Sequence, residues 1–254
     1  MGDEYSGASR QEIVQGLSSS DYKVRVRTLN QLGELGEDVL VDLSLGDEVA
    51  NRLRDSSREV QIAAALALGR CGQEGARLQG EVARLLNADE ATVVCAACKS
   101  LGLMGQNAHA RAQALVGLAQ HQDSRIRVAA LLAVGSMQAD AFAGDIANYL
   151  GDQVPEVQSA ACAALGSLGE QAKPHGAAIA KLLASDDKDV KTQALLCFSK
   201  MGTFGLGYGE DLLRCLADDD AVVRGAAVTA LEALGEHAGS LAKDVAKRLA
   251  SSSS

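Results

Sequence analysis

The stretch DQVPEVQSAACAALGSLG, residues 152–169, combines an acidic opening, a run of small residues and the ending Ala-Leu-Gly. Val157, Ala161 and Leu165 are spaced four residues apart, so they share one face of a helix. Gly169 follows where a helix commonly ends in a residue with positive φ. The stretch therefore predicts one helix with a buried face and a defined end.

The same pattern recurs along nearly the whole chain. We take the Gly of Ala-Leu-Gly as the anchor of each unit. Equivalent positions recur every 31 to 36 residues, and they are Gly33, Gly69, Gly102, Gly135, Gly166, Ser199 and Glu232. The residue before each anchor is apolar, the fifth before it is Ala except for Thr28, and the ninth before it is Val or Ile, beginning with Val24. We expect these three positions to be buried in every unit, with the Ala letting neighbouring helices approach closely.

Each unit is predicted to be a helical hairpin. An Asp opens each unit and is expected to cap its first helix or to accept hydrogen bonds in the turn; these residues are Asp21, Asp55, Asp89, Asp123, Asp152, Asp186 and one of Asp218 to Asp220. The first helix is expected to end at a second Gly three residues after the anchor, which the fourth unit replaces by Gln138. A further apolar pattern, such as VARLL at 82–86, predicts the second helix. Because one hairpin cannot bury its apolar faces alone, we expect neighbouring hairpins to stack.

Three units carry a resemblance to a known family. The stretches DSRIRVAALLAVG (123–135), DQVPEVQSAACAALGSLG (152–169) and DDAVVRGAAVTALEALG (219–235) resemble HEAT-like repeats, in particular the short units of the phycobilisome-lyase type. The resemblance implies an all-α fold, a right-handed α-solenoid (superhelix) of about seven HEAT-like helical hairpins plus an N-terminal capping helix. The family usually has Arg eight residues before the anchor, whereas here that position holds Arg25, Gln61, Val94, Arg127, Gln158, Lys191 and Arg224.

The predicted organisation is one repeat domain with short ends. Residues 1–20 form an N-terminal tail and a capping helix that SRQE (9–12) opens as a capping box, and 251–254 form a Ser tail. The HEAT-like domain covers 21–250, with approximate repeats 21–54, 55–88, 89–122, 123–151, 152–185, 186–217 and 218–250.

Charge and composition restrict the class of partner and the compartment. The net charge is −9, with 24 Lys and Arg against 33 Asp and Glu, which argues against nucleic-acid binding. No stretch approaches a membrane span, and the first residues do not form a secretory leader. MGDEYS matches the myristoylation pattern at Gly2, but the adjacent acidic residues oppose membrane binding. The six Cys are expected to be reduced, which favours the cytoplasm or another reducing intracellular compartment.

Residue types associated with catalysis are present, but they fit packing better. Cys95 and Cys98 form a C-x-x-C, yet Cys98 occupies a position that is Ala, Leu or Val in other units, so we interpret it as a core residue. The four His are too dispersed for a metal cluster. Deoxyhypusine hydroxylase, an enzyme of similar fold, holds iron through His-Glu pairs, and this sequence has no His-Glu dipeptide. We predict no catalytic, cofactor-binding or metal-binding residue and no enzymatic activity.

One segment departs from the repeat. GTFGLGYGEDL (202–212) interleaves four Gly with Phe204 and Tyr208, after a helix rather than a strand, so it does not fit a nucleotide-binding loop. It predicts either a flexible turn whose aromatic rings fold back onto the core, or a loop that contacts a partner.

The resemblance also implies where a partner binds. Second helices of HEAT-like solenoids line the concave face, and their polar positions, together with the two aromatic residues of 202–212, give the candidate set Asn51, Arg52, Arg84, Asn148, Tyr149, Lys181, Phe204, Tyr208, Arg214, Lys243 and Lys247. Acidic turns at SDDKD (185–189) and ADDDA (217–221) are expected to form one edge. The predicted function is a non-enzymatic scaffold that binds a protein or peptide; the alternatives are a bilin-lyase-like chromophore attachment factor and an importin-like cargo adaptor. The sequence leaves the oligomeric state open.

Overall fold

The computed structural model describes residues 10–235, 237 and 239, and every regular element in this part of the chain is helical. The chain divides into two compact units, Met1–Met137 and Gln138–Ser254. The all-α prediction is confirmed. The count of seven hairpins stays a prediction, because the segment predicted to form the second helix of the last hairpin falls outside the described residues. The right-handed course of the array and the boundaries of a single repeat domain also stay predictions.

In the first unit, long first helices alternate with short second helices. Its α-helices are α1 Arg10–Leu17, α2 Tyr22–Leu35, α3 Glu37–Asp42, α4 Gly46–Asn51, α5 Arg58–Gly69, α6 Gly72–Arg77, α7 Gln79–Arg84, α8 Ala91–Leu103, α9 Ala112–Leu118 and α10 Ser124–Ser136. The long helices pack in chain order, α2 on α5, α5 on α8 and α8 on α10. Each second helix also packs on the first helix that follows it, as α4 does on α5.

The second unit repeats this arrangement. Its α-helices are α11 Ala143–Ala147, α12 Pro155–Leu168, α13 Gly176–Lys181, α14 Lys188–Met201, α15 Gly209–Arg214 and α16 Ala221–Glu232. Here α12 packs on α14 and α14 on α16. The second helices are shorter than the sequence suggests because 3-10 turns, such as Leu182–Ala184 after α13, take over their last residues.

Each first helix has its N-cap residue at one fixed position, twelve residues before the anchor. The residues at this N-cap position are Asp21, Ser57, Glu90, Asp123, Val154, Asp187 and Asp220. Asp21, Asp123, Asp187 and Asp220 accept hydrogen bonds from helix amides through their side chains. Each such bond satisfies a donor that has no partner within the helix.

The opening Asp residues therefore have two different roles. Asp55 and Asp152 precede the N-cap by two residues and accept from the amides of Ser57 and Val154, as predicted for turn acceptors. Asp186, predicted to be an N-cap or a turn acceptor, is not the N-cap residue, because its neighbour Asp187 holds that position and accepts from the helix amides. Asp89 likewise precedes the N-cap residue, Glu90.

The ends of the first helices confirm the predicted role of the second Gly. These residues have positive φ in all six units that carry them, namely Gly36, Gly72, Gly105, Gly169, Gly202 and Gly235. Gln138, which replaces the Gly in the fourth unit, adopts the same conformation with φ of 51°. An L-residue with a side chain is strained in this region, whereas Gly is not.

Replacing Gln138 by Gly is therefore expected to raise the free energy of unfolding by about 0.5–1 kcal/mol, because relief of strain exceeds the added entropy of the unfolded chain. The matched control is Gly105→Ala, at φ of 58° with no close neighbour, which should lower stability by about 1 kcal/mol. Urea unfolding measures both. A destabilised Gln138→Gly variant would contradict this account of the turn.

Neighbouring first helices approach most closely at the anchor. An added Cβ there would lie 2.8 to 3.3 Å from a Cα of the next first helix, in the pairs Gly33 with Ala67, Gly69 with Ser100, Gly102 with Ala133 and Gly166 with Cys197. The Ala five residues before the anchor is buried, as predicted. The closest approach nevertheless involves the anchor and the small residue two before the next anchor.

The predicted buried face fails in the first repeat. Val24 is 38% exposed and Thr28 is half-buried, whereas their counterparts in later repeats are buried. Among the described residues no first helix precedes α2, and the eight-residue α1 covers it only partly, where Gly16 meets the Thr28 side chain. Burial at this position therefore depends on a preceding repeat.

Candidate functional site

The second helices present one exposed position in every described repeat. Each buries an apolar residue at the same position, namely Val49, Val82, Leu115, Ile146, Ile179 and Leu212. Two residues later the position is exposed, at Asn51, Arg84, Gly117, Asn148, Lys181 and Arg214. Five of the predicted partner-binding residues thus share one position, while Arg52 and Tyr149 come one residue later and are half-buried.

The Arg residues of this face are paired with carboxylates. Arg84 contacts Glu81 at 2.6 Å, and Arg214 forms the equivalent pair with Asp211. Arg52 lies 3.8 Å from Asp55. Nearby carboxylates therefore offset the charge of these three Arg residues.

An open groove of about 470 Å³ lies between the second helices of the first two repeats. It is lined by Asp47, Ala50, Asn51, Arg54, Arg77, Leu78, Gly80 and Glu81. Two ion pairs cross it between repeats, Arg77 to Asp47 at 2.9 Å and Arg54 to Glu81 at 3.0 Å. Of these residues, only Asn51 was predicted from the sequence. The acid three residues before Arg84 and Arg214 is a signal that could have identified Glu81.

A second groove, of about 540 Å³, lies in the second unit beside the two acidic turns. It is lined by Asp186, Lys188, Lys191, Arg214, Ala217, Asp218, Asp219 and Asp220. The structure thus brings SDDKD and ADDDA together, with Arg214 near both. A hydrogen bond from Lys191 lowers the pKa of Asp218, and the Val222 amide lowers that of Asp220. Their carboxylates are therefore stabilised in the charged form.

The variable position eight residues before the anchor stabilises the turns. Arg25, Arg127 and Arg224 each donate from Nη1 to two turn carbonyls, five and six residues earlier. Gln61 and Gln158 donate to one such carbonyl. Arg and Gln therefore stabilise the turn in the same way in these five repeats, whereas Val94 at the same position has no side-chain donor. Arg25 additionally binds Asp55 of the next repeat at 2.8 Å, and Lys191 binds Asp218 in the same way.

The aromatic residues of 202–212 pack within the second unit. The segment is a 3-10 helix, Gly202–Tyr208, rather than an irregular loop. The ring of Tyr208 lies 5.0 Å from that of the buried Phe198, and the Phe204 ring lies 6.2 Å from Tyr208. Gly176 faces both rings, since an added Cβ there would lie 2.8 Å from the Tyr208 hydroxyl. The rings therefore fold back onto the core, and Phe204 stays 37% exposed.

The cysteines have the properties of core residues. All six are free thiols, five of them buried. Burial raises the pKa of Cys71 to about 11 and those of Cys98 and Cys197 to about 12. Nucleophilic cysteines need the opposite shift. Within residues 10–235, 237 and 239, no group of His, Cys, Asp and Glu has the arrangement of a metal site.

Some predictions fall on residues that the structure does not describe. Lys243 and Lys247, the myristoylation pattern at Gly2 and the Ser tail at 251–254 lie outside the described residues. In the described part of the chain, no helix has both the length and the apolar character needed to cross a membrane.

Family comparison agrees with the repeat pattern. The model for HEAT repeats matches residues 46–135, 112–199 and 145–232, which together cover most of the chain. The chain belongs to the HEAT repeat family. A search of curated proteins finds no match.

Two solved structures show the same fold. An engineered protein from the Northeast Structural Genomics Consortium is 20% identical with a TM-score of 0.61, covering 92% of this chain and 71% of its own. The complex of CpcE and CpcF of phycocyanin lyase from Nostoc sp. PCC7120 is 23% identical with a TM-score of 0.57, covering 93% of this chain and 91% of that one. At this level of identity the likeness concerns the HEAT repeat fold alone.

Proposed function

We propose that this HEAT repeat protein is a non-enzymatic scaffold that binds a protein or peptide along the second helices. The proposal rests on the exposed position that recurs on each described second helix, from Asn51 to Arg214. A repeated position on rigid helices offers a partner several contacts in a regular series.

The groove in the first unit indicates what kind of segment would fit. Ala50, Leu78 and Gly80 line it together with the residues of the Arg54–Glu81 and Arg77–Asp47 ion pairs. An extended peptide with both polar and charged side chains could exchange contacts with these exposed pairs. Exposed ion pairs contribute little stability, so opening them costs little.

Site-specific crosslinking tests the proposal in extracts of the source cells. A photoreactive residue at Asn51 or Arg84 should capture the same partner, because both lie at the recurring exposed position in the first unit. The matched control is Lys99, which is exposed on the first helix α8. Crosslinks are identified by mass spectrometry, and capture only through Lys99 or Phe204 would contradict the second-helix surface.

Charge reversal tests the same surface with the captured partner. The double variant Arg54→Glu/Arg84→Glu should weaken binding about tenfold at unchanged melting temperature, since both side chains are exposed on the surface of the first unit. Lys23→Glu/Lys99→Glu changes the charge equally on first helices and should leave affinity unaltered. Isothermal titration measures both variants. Equal weakening by the two would show a general charge effect and not a binding site.

A bilin-lyase-like role in chromophore attachment is the second candidate, favoured by the likeness to the solved phycocyanin lyase complex. It predicts that the protein purified from its source carries visible absorption from a bound linear tetrapyrrole. Protein without such absorption that also leaves added bilin unbound in titration would remove this candidate. The importin-like alternative has no comparable observation in its favour.

A further inference from the structure

The outer face of α16 differs from the same face of every earlier first helix. The residue four before the anchor is buried in six repeats, at Leu29, Ala65, Cys98, Leu131, Cys162 and Leu195. In α16 the equivalent residue, Val228, is 45% exposed. This face receives the next first helix in repeats such as α5 and α8, but no described element packs over it in α16.

The exposed stripe on α16 has a symmetrical charge pattern. Arg224, Val228 and Glu232 are spaced four residues apart, so they lie on one face with the apolar residue in the middle. Arg224 Nη1 donates to the carbonyls of Asp218 and Asp219, which fixes the guanidinium at the helix surface. Within the described residues, Glu232 has no ion-pair partner. Gly225 on the same side has no atom within 4 Å of where a Cβ would lie, so the centre of the stripe is open.

We propose that α16 pairs with α16 of a second copy of this chain, antiparallel and around a twofold axis at Val228. In such a pair, a residue four before the axis faces the residue four after it in the other copy. Arg224 then meets Glu232 of the second copy, and the reciprocal pair forms on the other side. Val228 packs on its own equivalent, and Gly225 lets the helices approach.

The alternative of head-to-tail stacking, as between successive repeats, fits less well. First helices that stack on a following first helix have a small residue at the anchor, either Gly, as in α5 and α8, or Ser199 in α14, and an added Cβ at Gly69 would lie 2.8 Å from the next backbone. The anchor of the last repeat is the larger, charged Glu232. The opposite end of the array is also covered in part, because α1 packs on α2. The α16 face is therefore self-complementary rather than prepared for another repeat.

The small area of the α16 pair sets the expected affinity of the dimer. One pair of twelve-residue helices is a small interface, below the roughly 1,200 Å² of standard stable complexes. We expect a reversible monomer–dimer equilibrium with a Kd on the order of 10–100 µM.

Sedimentation equilibrium of the full chain, over concentrations spanning this Kd, tests the proposal. Glu232→Arg should weaken the dimer at least about tenfold, because it places like charges together. Arg224→Gln should also weaken it while keeping the turn bond that Gln61 and Gln158 make at the same position. The exchange Arg224→Glu/Glu232→Arg should restore dimerisation. Glu34→Arg, an equal charge change on exposed α2, is the control and should have no effect.

Crosslinking gives a test that does not depend on the folding of the charge-exchange variant. Val228→Cys places a thiol at the proposed twofold axis and should form a disulfide-linked dimer with oxidised glutathione, whereas Val222→Cys, 59% exposed in the native protein, should not. A chain that stays monomeric at all concentrations overturns the proposal. Equal crosslinking at both positions, or a folded exchange variant that does not dimerise, overturns it as well.

Discussion

Replacing Gly69 by Ala is expected to lower the free energy of unfolding by about 3 kcal/mol. The new Cβ would lie 2.8 Å from the Ser100 Cα and 2.9 Å from the Ser100 carbonyl oxygen. Both are backbone atoms, so α5 and α8 must move apart to make room. Separation of these helices also lengthens the hydrogen bond from the Ser100 hydroxyl to the Ala65 carbonyl, which is 2.6 Å.

Urea unfolding followed by circular dichroism measures this effect. The matched control is Gly117→Ala in α9 of the same unit, where no atom lies within 4 Å of the added Cβ. The free energy of unfolding of that variant should rise by up to about 1 kcal/mol, because Ala has a higher helix propensity than Gly. Similar losses in the two variants would show that helix separation is not the cause.

Asp55→Ala is expected to cost about 3 kcal/mol of stability. Arg25 and Asp55 form a buried ion pair at 2.8 Å between the first and second repeats, with side chains 11% and 6% exposed. Removing the carboxylate leaves the Arg25 charge buried and the Ser57 amide without its acceptor. The control is Asp89→Ala, an exposed Asp in the next turn, for which a change within about 0.5 kcal/mol is expected.

The same pair contributes to acid sensitivity. Burial by itself raises the pKa of Asp55, but hydrogen bonds from Arg25 and the Ser57 amide outweigh burial and hold the pKa below its ordinary value. A lowered folded-state pKa stabilises the fold above about pH 4 and loses that contribution as pH falls through the folded value. The stability difference between the native protein and Asp55→Asn should therefore be full at pH 7 and shrink below pH 4 in urea titrations. A difference independent of pH would contradict the ion pair.

The helices and their ends could be predicted from particular residues. Positive φ at Gly36 or Gly169 follows from local sterics, since only Gly adopts that conformation without strain. The same reasoning predicted the buried positions around each anchor, because a spacing of four defines one helix face. The HEAT repeat family followed from these local patterns, and family comparison confirms it.

The candidate site was predicted less completely. Sequence reasoning placed Asn51, Lys181 and Arg214 on the second helices, and the structure gives them one shared exposed position. It missed Arg54 and Arg77, because each forms an ion pair with a carboxylate about 30 residues away in the sequence. Only the stacking of repeats brings these charges together.

The sequence by itself determined where helices start and stop and which face of each is apolar, because these properties depend on residues within one or two turns. The tertiary structure decided everything that depends on a neighbouring repeat. It alone shows that the anchor Gly receives the next backbone, that Arg25 binds Asp55, and that Val24 and Val228 are exposed while their counterparts are buried. The physical reason is that identical residues in a repeat have different environments when the helix that would cover them is absent from one side.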